Sequence, residues 1–197
     1  MNTTFTMGTH RVNRVGFGAM QLAGPGVMGE PADRDQALAV LRRALELGIN
    51  HIDTSEFYGP HVTNRLIREA LAPYPGDLVL VSKVGAHRDD AGSWLPSQRP
   101  EELIADTHQN LETLGIDRLP VMNLRVMPKD DHAPADYVPV PLDEQLDAMR
   151  RLVDEGAIDH FGVSTVTTEQ ARVAIEAGAV QVQNTYNLLV RDDEPTL

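Results

Sequence analysis

From Asp33 onward, apolar positions switch repeatedly between a helical rhythm and short unbroken runs, with a glycine between the two. Ala37, Leu41, Ala44 and Leu45 keep helical spacing, Asp33 with Gln36 reads as the cap, Gly48 as the stop, and Ile49 to Asp53 as a strand. Leu103, Thr107, Leu111 and Leu114 repeat the scheme between Pro100 and Gly115, and Leu119 to Leu124 follows as strand. Pro141 opens the next helix, with Leu146, Met149 and Val153 inward and Gly156 closing it before the strand His160 to Val163. Thr167 and Gln170 cap another, Gly178 ends it, and Val180 to Gln183 is strand. Glycine suits the left-handed position just past a helix. Upstream, the pattern predicts a hairpin over Phe5 to Val12, a strand from Val15 to Met20, a helix from Thr63 to Leu71 and a strand from Leu78 to Ser82.

Strands that alternate with helices mean parallel βαβ units. A doubly wound open sheet and a (β/α)8 barrel both satisfy that alternation. The barrel is favoured, because the strands are short and end in polar residues, where barrel sites lie. The expectation is a single α/β domain over 1–197: an N-terminal hairpin and about six β/α units of an incomplete TIM barrel. A full barrel takes ~250 residues, so the chain reads either as a fragment or as a naturally shortened form. Six strands cannot close a barrel, and open edges are expected to invite self-association.

Composition narrows the class. Hydrophobic residues make up 42% and charged residues 23%, as in soluble globular chains. The formal charge of −12 argues against nucleic acid, which needs a basic footprint. With no cysteine, disulfides, zinc–thiolate sites and a cysteine nucleophile are excluded. The start of the chain lacks a signal-peptide pattern and no run suits a bilayer span, so no membrane partner and a cytoplasmic location are expected.

Asp53, Tyr58 and Lys83 carry the clearest chemical signal. They stand in His51-Ile-Asp-Thr-Ser-Glu-Phe-Tyr-Gly-Pro60 and Val81-Ser-Lys-Val84, at the ends of two strands. If those strands are parallel neighbours, the three side chains emerge at one rim. A phenol is a poor acid, with an ordinary pKa of about 10. A nearby ammonium stabilises the phenolate and a carboxylate holds the ammonium, so the tyrosine can give up a proton near neutral pH. Such a site suits protonation of a carbonyl oxygen while hydride arrives at carbon.

Other signals read more plainly. Gly24-Pro-Gly-Val-Met-Gly29 matches G-x-G-x-x-G, yet Glu30-Pro31-Ala32 separates it from the helix and Pro25 removes an N–H. A mobile loop over a pocket is the better reading. The seven histidines show no metal-binding spacing, so no metal is expected. His61 and His87 lie just past the Tyr58 and Lys83 segments and could line a pocket, while His108 and His132 read as surface residues. Ser164 has no nucleophile elbow around it and reads as a hydrogen-bonding residue. Trp94, in a long loop from Gly85 to Arg99, could cover a pocket or anchor the loop.

Gly16-Phe-Gly-Ala-Met20, Asn50 to Gly59, Val81-Ser-Lys83, Gly162-Val-Ser-Thr165 and Val182-Gln-Asn-Thr-Tyr-Asn187 together resemble the aldo-keto reductases, in the family's order. The resemblance implies NADPH bound at a barrel mouth, Tyr58 as general acid, Lys83 as the cation beside it and Asp53 as the support of Lys83. It places Gly18, Ala19 and Met20 beside cofactor and substrate, and Ser164, Thr165 and Gln183 around the nicotinamide carboxamide, although the family more often has Asn where Thr165 stands. Where most members carry a catalytic histidine, this chain has Arg125, as do members that reduce pyridoxal. An arginine stays charged and cannot act as a base, but it can donate to a carbonyl or phenolate oxygen. The family's last two strands, which hold the adenosine phosphate, have no counterpart before Leu197. Three functions follow: NADPH-dependent reduction of a small aldehyde, with pyridoxal going to pyridoxine; a truncated, non-catalytic regulatory or remnant homologue; and a Schiff-base lyase using Lys83.

Overall fold

The computed structural model describes residues 4–127, 133 and 137–196. A hairpin of β1 (Thr4–Met7) and β2 (His10–Asn13) comes first, followed by β3 (Phe17–Gly18), α1 (Arg34–Glu46), β4 (His51–Asp53), α2 (Val62–Leu71) and β5 (Val79–Val84). An antiparallel ribbon of β6 (Ala86–Arg88) and β7 (Trp94–Pro96) precedes α3 (Pro100–Leu114). The chain continues through β8 (Leu119–Arg125), α4 (Leu142–Asp154), β9 (Ile158–Ser164), α5 (Thr168–Glu176) and β10 (Val182–Gln183).

The local signals that start and stop the helices act as expected. Asp33 accepts from the Gln36 amide at 2.8 Å, Thr167 and Gln170 form a reciprocal capping box, and Gly115 ends α3 at φ 69°. The first sheet strand is shorter than predicted. It spans only Phe17–Gly18, because Ala19 turns into a 3-10 segment while its amide bonds Asp53 O at 2.8 Å. The region read as a long loop after Gly85 contains the β6–β7 ribbon, three residues per strand and too short to announce itself by alternation.

Six strands lie in the order β3-β4-β5-β8-β9-β10, all parallel, each beside its predecessor in the chain. A doubly wound sheet reverses its strand order at a switch point. Here the order never reverses, so the sheet is a stretch of barrel wall, and the barrel reading holds as a partial (β/α)8 fold.

Alternation decides what each face carries. Ile52, Leu80, Met122, Leu124, Phe161 and Val163 join the core with helix residues such as Leu41, Leu66, Leu103 and Met149. Val79, Val81 and Val121, on the other face, pack with Val12 and Met7 of the hairpin, which covers the lower part of the barrel interior. His10 and Thr9 tie the hairpin to Asp159 and His160 of β9.

Tyr74 fastens the segment after α2 by donating from its hydroxyl to Leu114 O at 2.7 Å, and burial pushes its phenol up to about 12. Tyr74→Phe should cost ~1 kcal/mol at neutral pH. The unfolded chain loses this proton first, so stability should fall as pH rises from ~10 towards 12, and the variant should lose that part of the fall. Urea denaturation at neutral and alkaline pH measures both.

Candidate active site

Strand register gathers most of the predicted residues on one face. Gly18 pairs with Asp53, Asp53 with Val81, Lys83 with Asn123, Arg125 with Ser164, and Ser164 with Gln183. Because side chains alternate with period two, those of Asp53, Lys83, Arg125, Ser164 and Gln183 point into the barrel interior near its C-terminal rim, and Gly18 stands at an inward-facing position beside Asp53. Two glycines leave room for this. A Cβ on Gly16 would stand 2.0 Å from His51 Nε2, and one on Gly162 would stand 2.4 Å from Asn123 Oδ1.

Lys83, almost fully buried, donates to both Asp53 oxygens at 2.6 Å and to Thr54 O at 3.0 Å. That uses the three donors of an ammonium. Its nitrogen lies 5.1 Å from the centre of the Tyr58 ring, so its influence on the phenol is electrostatic, through space. Asp53 also accepts from Gln183 Nε2 at 2.9 Å. His51, one layer below Asp53, is held below the usual histidine range by burial, which outweighs the pull of Asp53 the other way.

Tyr58 itself sits on the loop after β4, where its amide bonds Ser55 O at 3.1 Å. A buried polar network that the sequence reading missed fixes this loop. Asn64 is its hub: it accepts from Thr54 Oγ1 at 2.8 Å, and its amide nitrogen reaches Glu56 Oε2 at 2.9 Å, Thr113 Oγ1 at 3.0 Å and Asn110 Oδ1 at 3.1 Å. Thr113 donates to Glu56 at 2.8 Å and Ser82 to Asn110 at 2.5 Å. Glu56 also lies against His61 Nδ1. Burial, aided by Arg65, holds that imidazole below its usual range. Asn110 and Thr113, three apart on the apolar face of α3 beside Leu111 and Leu114, were the visible signal.

Above the trio, Phe57 meets Tyr58 edge to face at 5.4 Å and Trp94 at 5.4 Å. Trp94 is thus an anchor of its loop. Arg88 stacks on Trp94 at 4.1 Å and donates to the carbonyl oxygens of Gly26, Val27 and Gly92. The Gly24–Gly29 segment is therefore stapled to the β6–β7 ribbon. It closes on itself through Gly24 N to Gly29 O at 3.0 Å, and α1 starts only at Arg34. His61 and His87 both line a cleft of about 290 Å³ with Glu56, Lys83 and Asp106. His108 is exposed on α3, and His132 lies outside the described residues.

At the far end of the site, the Ser164 and Thr165 hydroxyls stand 3.3 Å apart beside Gln183. Two hydroxyls and a primary amide form a set that both donates and accepts, as a carboxamide requires. A Cβ on Gly18 would meet nothing within 4 Å, so the interior face of β3 leaves space for a flat ring. Ala19 is buried beside it and Met20 is partly exposed at the rim. These residues fit the nicotinamide end of a dinucleotide.

Residues 14–197 match the model of the aldo/keto reductase family. The chain is 52% identical to pyridoxine 4-dehydrogenase of Escherichia coli over 98% of its length, spanning 67% of that protein. It is 37% identical to an uncharacterised oxidoreductase of Schizosaccharomyces pombe, again over 98% of its length, and spans 60% of that relative. An aldo/keto reductase from Klebsiella pneumoniae solved with NADP and acetate superimposes with a TM-score of 0.78 at 26% identity, over 100% of this chain and 63% of the other.

Proposed function

Because the chain belongs to the aldo/keto reductase family, we propose that it reduces a small aldehyde with NADPH, pyridoxal to pyridoxine being the favoured pair. The observation that carries this is the Asp53–Lys83 pair at 2.6 Å, with the ammonium over the face of Tyr58 at the sheet's C-terminal rim. The 52% identity to a pyridoxine 4-dehydrogenase supports the substrate class.

Ser164, Thr165 and Gln183 would hold the carboxamide of the nicotinamide, with Gly18, Ala19 and Met20 beside the ring. When bound, NADPH supplies the hydride. Tyr58 donates its phenolic proton to the carbonyl oxygen. Lys83 stabilises the phenolate left behind, and Asp53 keeps the ammonium in place. Arg125 faces the same interior and donates hydrogen bonds to a substrate oxygen. Lys83 is engaged as a donor three times, whereas a Schiff-base lysine needs its lone pair free, which favours reduction over the lyase reading.

Trp94 is the only tryptophan, so quenching of its fluorescence gives a direct titration. NADPH should quench it saturably, with a Kd in the micromolar range, and pyridoxal should then be consumed with NADPH. If NADPH does not bind even at millimolar concentration, the non-catalytic homologue replaces this reading.

A further inference from the structure

Thr165 follows directly on β9 and adopts φ 60°, in the left-handed region that β-branched residues rarely enter. In an extended continuation of the strand its side chain would face away from that of Ser164. With the left-handed turn, the two hydroxyls stand 3.3 Å apart. Two sets of contacts hold that turn. On one side the Thr165 amide donates to Gln183 O at 3.2 Å. On the other, Asn184 brackets Val166: its Oδ1 accepts from the Val166 amide at 3.1 Å, and its Nδ2 donates to Val166 O at 2.7 Å. Val166 is buried in the main core, and Asn184 serves it as a strand partner would. An unfavourable backbone angle persists where its surroundings over-determine it. Thr165 and Asn184 line one cleft of about 390 Å³ with Val126, Thr167 and Gln170.

We propose that Asn184 is a positioning residue for the cofactor site: by clamping Val166 it keeps Thr165 left-handed, so that the Thr165 hydroxyl joins that of Ser164 on the carboxamide of the nicotinamide. This rests on the reductase reading above. A primary amide suits the task, because one side chain satisfies both the N–H and the C=O of Val166. A carboxylate only accepts, and an aliphatic side chain does neither. Without the clamp Thr165 is free to return to the extended region, and its hydroxyl then leaves that of Ser164. Asn184 touches no reacting atom and acts through Thr165 alone. The turn destabilises the free protein and gives the bound carboxamide one more hydrogen bond.

Two measurements on the whole chain test this. In urea without cofactor, Thr165→Asn should raise the unfolding midpoint, because asparagine tolerates left-handed angles that threonine does not. An unchanged or lowered midpoint would mean that the turn carries no strain for Asn184 to hold, and overturns the proposal. Calorimetric titration with NADPH then reads the site. Asn184→Leu and Thr165→Gly should each weaken NADPH binding by about fivefold, the worth of one ordinary hydrogen bond. With both changes together the loss should stay near about fivefold rather than multiply to roughly twenty-five-fold, because one residue acts through the other. Losses that multiply overturn the proposal, as does full affinity in Asn184→Leu. Should Asn184→Leu not fold, Asn184→Asp takes its place in the cycle, since it keeps an acceptor for the Val166 amide and removes the donor. A parent that binds NADPH while the losses multiply leaves the reductase reading standing without the clamp. A parent that binds no NADPH even at millimolar concentration removes the reductase reading, and the clamp's part in cofactor binding falls with it.

Discussion

Tyr58→Phe should lower aldehyde turnover by ~10²–10⁴-fold, the usual worth of a positioned general acid. The ring stays, so its edge contact with Phe57 and the ammonium on its face are retained, and NADPH affinity should hardly change. The loss should fall on kcat and kcat/KM together, because the proton is transferred only in the transition state. Stopped-flow measurement of NADPH consumption, paired with Trp94 quenching, separates the two effects. A variant as fast as the parent would take Tyr58 out of the reaction.

The second large effect is expected at a residue with no chemistry of its own. Asn64→Leu removes the hub that joins Thr54, Glu56, Asn110 and Thr113. Each of these is buried, and a polar group left unsatisfied there costs ~1–3 kcal/mol, so the network should lose ~2–4 kcal/mol in all. The urea midpoint should drop accordingly. Thr54 and Glu56 lie in the loop that carries Tyr58, so kcat should fall more than unfolding alone accounts for under conditions where the variant remains folded. An unchanged midpoint would mean that water takes over the lost bonds and the network is not structural.

The parts legible in the sequence are those governed by local rules. Caps such as Asp33 and Thr167, helix stops such as Gly115 and the alternation along β5 and β8 depend on neighbours a few residues away. Asp53, Tyr58 and Lys83 were legible because each stands where an apolar strand gives way to polar residues. What the sequence hid depends on partners far along the chain. The Lys83–Asp53 bond could be anticipated, but not that Gln183, 130 residues later, would donate to the same carboxylate. Asn64 and Asn110 look like isolated polar residues on otherwise apolar helix faces, and only packing α2 against α3 turns them into one network. The β6–β7 ribbon escaped because three residues per strand are too few for a period of two to be visible.

The Arg88 staple has a consequence for exchanging parts between related proteins. The turn at Gly26 and Val27 adopts φ of 67° and 60°, a conformation unusual for valine. Its carbonyl oxygens are held by an arginine some sixty positions downstream. The first loop and the ribbon therefore form one structural unit in this chain. A graft that imports residues 24–29 without a matching Arg88 and Trp94 would bring a shape that its new host cannot maintain. Swapping both segments together would carry the roof over Tyr58 across intact, making them the natural cut points for building chimeric barrels with altered substrate range.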